Sequence, residues 1–416
     1  MAEAVRPITA CRLCGGRELR RYIDFGQVPL GNNLQETAEA ASAAEAYPLV
    51  LERCGACGHF QLGHAVAPQL LYATNYTYLS GIGPSFVRHF AEYAAWADER
   101  ELLPAGALVV DIGSNDGTCL KAFQDRGYRV CGVDPATLAA TIANDRGIET
   151  INAFFSGDVV RQIVETHGEA DFVTSHNVLA HVDDLAGVFR NIHTLLKDGG
   201  HFAFEIGYFR EVLRTGCFDT IYHEHLDYHH AAPLTRHLTG LGFDVVELSV
   251  NAVQGGSLRL LLRKTGEGGV SEQARDFLAE EGRSVLYDEP FLASWRHSID
   301  ERMGKLREAL RERERSGRKI VAYGAPTKAT LLMKLAGLDG SDVAIVVDDN
   351  PHKTGRFMPG TAVPIRPTAE LEAAEPDVIV LFAWNFAADI VTKLRGRFRR
   401  PVEALVPLPE LRSEPL

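Results

Sequence analysis

The stretch Leu108-Val109-Val110-Asp111-Ile112-Gly113-Ser114-Asn115-Asp116-Gly117 reads as a buried strand running into a tight turn bracketed by two glycines. The next strand, Val130-Cys131-Gly132-Val133, ends in Asp134. Asp171-Phe172-Val173-Thr174 and His201-Phe202-Ala203-Phe204-Glu205 are further strands, and Asp198-Gly199-Gly200 is the turn before the last of them. Upstream, Phe86, Phe90, Tyr93 and Ala97 recur at helical spacing. Strands alternating with helices predict a doubly wound α/β sheet that takes its ligand at the strands' carboxyl ends. The turn is not the G-x-G-x-x-G dinucleotide fingerprint. Gly113 lets a ligand approach the backbone closely, and Asp134 stands where an acid meets ribose hydroxyls.

A second α/β run lies downstream. A charged helix pattern over about residues 300–316 carries Met303, Leu306 and Leu310 on one face and stops at Gly317. Ile320-Val321-Ala322-Tyr323 then leads into Gly324-Ala325, Val343 to Val347 ends in Asp348-Asp349-Asn350, and Val378 to Phe382 is a third strand. The 416 residues suit roughly three domains. The expected division is a cysteine-bearing module (1–67), a first α/β domain (68–265) and a smaller C-terminal α/β domain (266–416).

Lys plus Arg is 43 and Asp plus Glu is 55, a net charge of −12, which speaks against a protein that grips nucleic acid. The longest apolar run, Val378 to Trp384, is seven residues. A membrane span needs about 20, so no membrane partner is expected. The N-terminus lacks the apolar core of a signal peptide, so the seven cysteines are expected to be reduced and the compartment cytoplasmic. The sequence carries no signal for an oligomeric state.

Four cysteines form two C-x-x-C pairs, Cys11/Cys14 and Cys54/Cys57, each followed by glycine. Two-residue spacing aims both thiolates of a pair at one ion, and four such ligands leave no open position. The reading is a structural zinc site with an insertion between its knuckles. A redox pair is disfavoured, because neither pair follows a strand in a βαβ unit.

The Asp111 to Gly117 turn resembles the first motif of class I methyltransferases that use S-adenosylmethionine (SAM). The resemblance implies that Asp111 pairs with the ammonium of SAM. It also implies that Gly113, Asn115, Asp116 and Gly117 form the cofactor turn and that Asp134 holds the ribose. Phe154 and Phe155 would flank the adenine, and Asn177 follows the strand at Asp171.

Tyr222-His223-Glu224-His225-Leu226-Asp227-Tyr228-His229-His230 holds four of the 15 histidines. A metalloprotease H-E-x-x-H would need histidine at 227, where the chain has Asp227. Three readings stay open: His223 and His225 as metal ligands on one strand face, a surface cluster, or acid–base chemistry with an adjacent glutamate tuning an imidazole.

Several motifs together resemble the zinc-containing, SAM-dependent sugar C-methyltransferases of deoxysugar biosynthesis, the family of the tetronitrose-pathway C-3 methyltransferase. They are the paired cysteines, the SAM turn, Asn177-Val178-Leu179-Ala180-His181, Glu224-His225, Gln254-Gly255-Gly256-Ser257-Leu258-Arg259, Tyr323-Gly324-Ala325-Pro326-Thr327-Lys328-Ala329 and Leu381-Phe382-Ala383-Trp384-Asn385. The resemblance implies a nucleotide-diphosphate sugar bearing a 4-ketone, methylated on the carbon beside that ketone through an enolate. His225 is the expected base and Tyr222 the next candidate, with Glu224 orienting or tuning it. His181 and Tyr76 are expected to donate to the ketone oxygen. Substrate contacts are expected at Tyr78, Gly255, Gly256, Gly324, Ala325, Lys328, Lys353, Trp384 and Asn385; the lysines can equally be ordinary solvated charge. The family member named reads Asp-Glu-His-Phe where this chain reads His223-Glu224-His225-Leu226, which opens the methylated position, C-3 or C-5, to difference near the sugar. Rival readings are a zinc-ribbon RNA methyltransferase and sugar O- or N-methylation.

Overall fold

A computed structural model describes residues 4–72, 79–82, 84–251 and 253–416 of the chain. In the cysteine module, strands Leu19–Pro29, Ala46–Cys54 and Phe60–Leu62 form an antiparallel sheet. Its fourth strand, Asp227–Tyr228, comes from much later in the chain and pairs with Phe60–Leu62. The alanine- and glutamate-rich stretch between the knuckles forms the helix Ala38–Ser42, capped by the Thr37 hydroxyl, which accepts from the Ala40 amide at 3.1 Å.

The central sheet has seven strands in the order Phe243–Asn251, Ser257–Lys264, Leu196–Gly207, Ala170–His176, Leu108–Ile112, Arg129–Val133, Thr150–Ile151. All are parallel except Ser257–Lys264, which runs antiparallel to both neighbours. Leu108–Ile112 is buried along its whole length, as its unbroken apolar pattern predicts for a central parallel strand. One face is covered by Pro84–Glu99 and Thr118–Gln124 through Phe90, Tyr93, Leu120 and Phe123. The other is covered by Gly157–His167 and Leu185–Leu195 through Val160, Ile163, Phe189 and Ile192. Strand order reverses between Leu108–Ile112 and Ala170–His176, and such a switch point opens a crevice at the strands' carboxyl ends.

The C-terminal sheet has six strands in the order Ile365–Pro367, Val346–Asp348, Ile320–Tyr323, Val378–Leu381, Glu403–Val406, Arg412–Pro415, the last antiparallel. Its own switch point lies between Ile320–Tyr323 and Val378–Leu381. The strand expected at Val343 is Val346–Asp348, because pairing starts only where Val346 meets Ala322 and Ile365. The charged helix is longer than its pattern suggested, Glu289–Arg315, because Asp288 caps it with Pro290 in its first turn. Among the described residues no helix is long and apolar enough to cross a membrane.

Candidate active site

The four knuckle thiols lie within 4.8 Å of one another, and none is in a disulfide. Cys11 and Cys57 sulfurs are 3.7 Å apart, as are those of Cys14 and Cys54. Tetrahedral zinc with bonds of about 2.3 Å separates its sulfurs by about 3.8 Å, so the cluster fits that ion. The facing Cys57 and then burial push the Cys11 thiol far up, so that thiol would stay protonated without a cation to ionise it.

At the central switch point Gly113 has φ +73°, and a Cβ there would lie 2.1 Å from Val178 Cγ2. Asn115 is also left-handed, at φ +51°, a conformation asparagine tolerates. Its backbone N–H donates to Asp134 Oδ2 at 2.9 Å, and its side-chain oxygen accepts from the Ser80 amide at 2.9 Å. Asp116 accepts from the Gly81 amide (3.0 Å) and the Thr118 hydroxyl (2.6 Å), and Gly117 caps the helix that follows. Asp111 is different. It is buried, its Oδ1 has no partner, and burial, then Asp134, push its carboxyl well above the usual range. A bare carboxyl at the end of the central strand is what a ligand's ammonium would satisfy, so these residues fit SAM. Phe155 is half-buried, whereas Phe154 is 62% exposed. Asn177 sits at φ +57° with its N–H on the Glu205 carbonyl at 2.8 Å.

The histidine turn meets the segment that follows strand Ala170–His176, where the Leu226 N–H donates to the Ala180 carbonyl at 2.6 Å. The Tyr222 and His225 rings have centroids 4.1 Å apart and are tilted by 31°. His225 Nδ1 meets the Thr220 carbonyl at 2.9 Å, and a carbonyl can only accept, so Nδ1 carries the proton. Nε2 is then the acceptor, and the Tyr222 hydroxyl donates to it at 2.9 Å. The His181 ring stands edge-on to His225 at 4.8 Å. Burial, then His181, bring His225 down to about 3, and burial brings His181 to about 4, so both rings are neutral. His181 gives a ring N–H to the Glu224 carbonyl. Its other nitrogen is then an acceptor, so the expected donation to a ketone oxygen needs a second proton on a ring that burial keeps neutral.

Glu224 does not meet His225. Its carboxyl accepts from the Asn32 amide at 3.1 Å, its other oxygen has no partner, and burial pushes it up to about 7. The orienting role expected of Glu224 falls to the Thr220 carbonyl. Asn32 in turn accepts from the Thr327 hydroxyl at 2.6 Å, joining three parts of the chain. His223 turns to the Tyr47 carbonyl (3.2 Å), Asp227 to His59 (2.8 Å) and His230 to the Gly58 carbonyl (3.1 Å). The departure from the family pattern at His223 therefore faces the cysteine module, as do Asp227 and His230. His223 and His225 share no metal site among the described residues.

In the C-terminal domain Gly324 is left-handed, at φ +89°, and Ala325 donates its N–H to Asp348 at 2.7 Å. Lys353 donates to the Ala325 carbonyl at 2.8 Å. The Lys328 ammonium is already engaged, 3.7 Å from Asp219 and 3.9 Å above the Trp384 ring. Asn385 is exposed. Gly255 and Gly256 form a left-handed pair, with the Gly256 carbonyl taking the Tyr208 amide at 3.1 Å. Tyr76 and Tyr78 lie outside the described residues. Asn32, Asp219, Thr220 and His59 are not singled out by the sequence. Each acts through a backbone carbonyl or a distant partner, which no local pattern records. The nearest signal was the run of polar residues flanking His225.

The central strand order, the ligand-ready turn and the cysteine cluster define a SAM-dependent methyltransferase with a structural zinc module. Family models agree along the chain: a zinc binding domain over residues 11–72, a methyltransferase domain over 87–248 and a C-methyltransferase C-terminal domain over 252–409. C-methyltransferase NovU of Streptomyces niveus is 32% identical over 413 residues, 99% of this chain and 98% of NovU. The chain belongs to the C-methyltransferase family that includes NovU. A ubiquinone biosynthesis O-methyltransferase of Pseudomonas aeruginosa (strain UCBPP-PA14) is 36% identical over 107 residues, only 25% of this chain and 46% of that protein. Among solved structures, magnesium protoporphyrin IX methyltransferase of Synechocystis PCC 6803 with bound SAM matches 43% of this chain and 79% of that one, at 15% identity and a TM-score of 0.33.

Proposed function

We infer that the protein is a cytoplasmic C-methyltransferase whose substrate is a nucleotide-linked 4-keto-6-deoxysugar, methylated on the carbon beside the ketone, at C-3 in preference to C-5. The observation that carries this reading is the Tyr222–His225 pair, locked in one tautomer. A sugar carbon becomes nucleophilic only when a neighbouring ketone acidifies its C–H bond and a base removes that proton. Bound SAM supplies the electrophilic methyl group such a carbon can take. His225 presents an unprotonated Nε2 at any working pH, because its burial holds it neutral. The proton leaves the substrate carbon for the pair, directly or through the Tyr222 oxygen, and comes to rest on Nε2. Burial makes an isolated imidazolium costly there, and the enolate formed beside it offsets that cost by its opposite charge. Tyr76 stands as the donor to the enolate oxygen, with the module boundaries at 67/68 and 265/266 as the working division.

The test is incubation with SAM and a panel of dTDP-, GDP- and UDP-linked 4-keto sugars in D2O, with NMR of the product. A new C-methyl group, with deuterium entering the α-carbon when SAM is withheld, is the expected result. Methylation on oxygen or nitrogen without α-exchange would overturn the reading.

A further inference from the structure

The turn that pins His225 is itself pinned from another domain. Thr220, whose carbonyl holds Nδ1, follows Asp219 in the short turn Phe218–Thr220 of the central domain. Asp219 is fully buried, and its Oδ2 accepts from Trp384 Nε1 at 2.5 Å. The Lys328 ammonium stands 3.7 Å from the same oxygen and 3.9 Å above the Trp384 ring, with its side chain 13% exposed. Trp384 follows the C-terminal strand Val378–Leu381, and Lys328 opens the helix Thr327–Ala336, so both stand at that domain's switch point. A second grip lies just upstream, where Arg302 donates to the carbonyls of Thr215 (3.1 Å), Gly216 (3.2 Å) and Pro409 (3.0 Å). The segment before Thr220 thus has little freedom unless the C-terminal domain releases it.

We propose that Asp219, clamped by Trp384 and Lys328, is a positioning residue that sets the Thr220 carbonyl and through it the Nδ1–H tautomer of His225. The C-terminal domain then does more than receive substrate: it completes the proton acceptor. A buried carboxylate held by an indole N–H and an ammonium is stiff, since releasing either partner leaves charge uncompensated in the interior. A base displaced by about 1 Å can lose about 100-fold in rate. This inference rests on the Tyr222–His225 pair being the working pair.

The test uses the full-length, zinc-loaded protein labelled with 15N-histidine, with His225→Gln identifying the His225 signals. Asp219→Asn and Trp384→Phe are measured for kcat, for KM of SAM, for α-proton exchange and for the 15N tautomer signature of His225. Trp384→Phe keeps an aromatic ring near Lys328 and removes the indole N–H, so it covers the case in which Asp219→Asn fails to fold. The expected result is a fall of about 10- to 100-fold in kcat and in exchange together, KM for SAM within about twofold, and a mixed tautomer at His225. Wild-type kcat and tautomer in a folded variant would overturn the proposal. So would loss of SAM binding and thermal stability with the tautomer unchanged. If His225→Gln itself retained exchange, the base assignment would fail, while a mixed tautomer in Asp219→Asn would still establish the clamp.

Discussion

The SAM turn and the histidine turn are neighbours built in opposite ways. The SAM turn is held by its own domain: Asn115 by Ser80 and Asp134, Asp116 by Gly81 and Arg146, and Gly113 against Val178. The histidine turn is held from outside. The cysteine module supplies Asn32, Tyr47 and His59, and the C-terminal domain supplies Thr327, Trp384 and Lys328. The SAM turn draws its contacts from one domain, and the histidine turn draws them from three.

The sharpest way to break this contrast is to unfold the cysteine module alone. Cys54→Ser should release zinc and drop methylation to background, while SAM binding by calorimetry stays within about twofold. If SAM binding collapsed in step with activity, the two turns would not be separable. Next in size, His225→Gln should cut methylation and α-proton exchange by about 100- to 10,000-fold, again without weakening SAM, as rapid-quench and deuterium NMR would read. Asp111→Asn acts on the other side of the comparison. It should weaken SAM by about 10- to 100-fold through a lost charge-assisted bond, leave the His225 tautomer untouched, and not lower the melting temperature of the SAM-free protein, because it removes a buried carboxyl that has an unpartnered oxygen.

The smallest effect concerns Glu224. Its folded value, about 7 against an ordinary 4.5, means the folded state prefers the protonated acid. That preference stabilises fully below about pH 4.5 and is lost as pH rises through about 7, a change of about 3 kcal/mol at about 1.4 kcal/mol per unit. Glu224→Gln should flatten that fall in a melting-temperature series across pH. A variant that still lost stability over the same window would place the titrating group elsewhere.

This contrast also explains what could be read in advance. The strand into Gly113, the acid at Asp134 and the two knuckles are local patterns, fixed by spacing along a few residues, and both the α/β architecture and the zinc cluster follow from them. The residues of the histidine turn were visible as types, but not their partners. An adjacent glutamate suggested a carboxylate–imidazole pair, yet neighbouring side chains in this turn point apart, Glu224 to Asn32 and His225 to Tyr222. From sequence Lys328 reads as a substrate contact or as solvated charge, because nothing in its own stretch reveals Asp219, more than a hundred positions upstream. Backbone carbonyls, which orient both His225 and His181, leave no trace in a side-chain pattern at all.

Three of these tethers join distant parts of the chain: His59 reaches Asp227 across 168 positions, Trp384 reaches Asp219 across 165, and Thr327 reaches Asn32 across 295. Closing loops of that length is entropically demanding and slow. On the ribosome the partners of the SAM turn all emerge with the middle segment, whereas the Asp219–Trp384 contact must wait until residue 384 is made. A half-made polypeptide therefore lacks every contact that reaches the histidine turn from the C-terminal side.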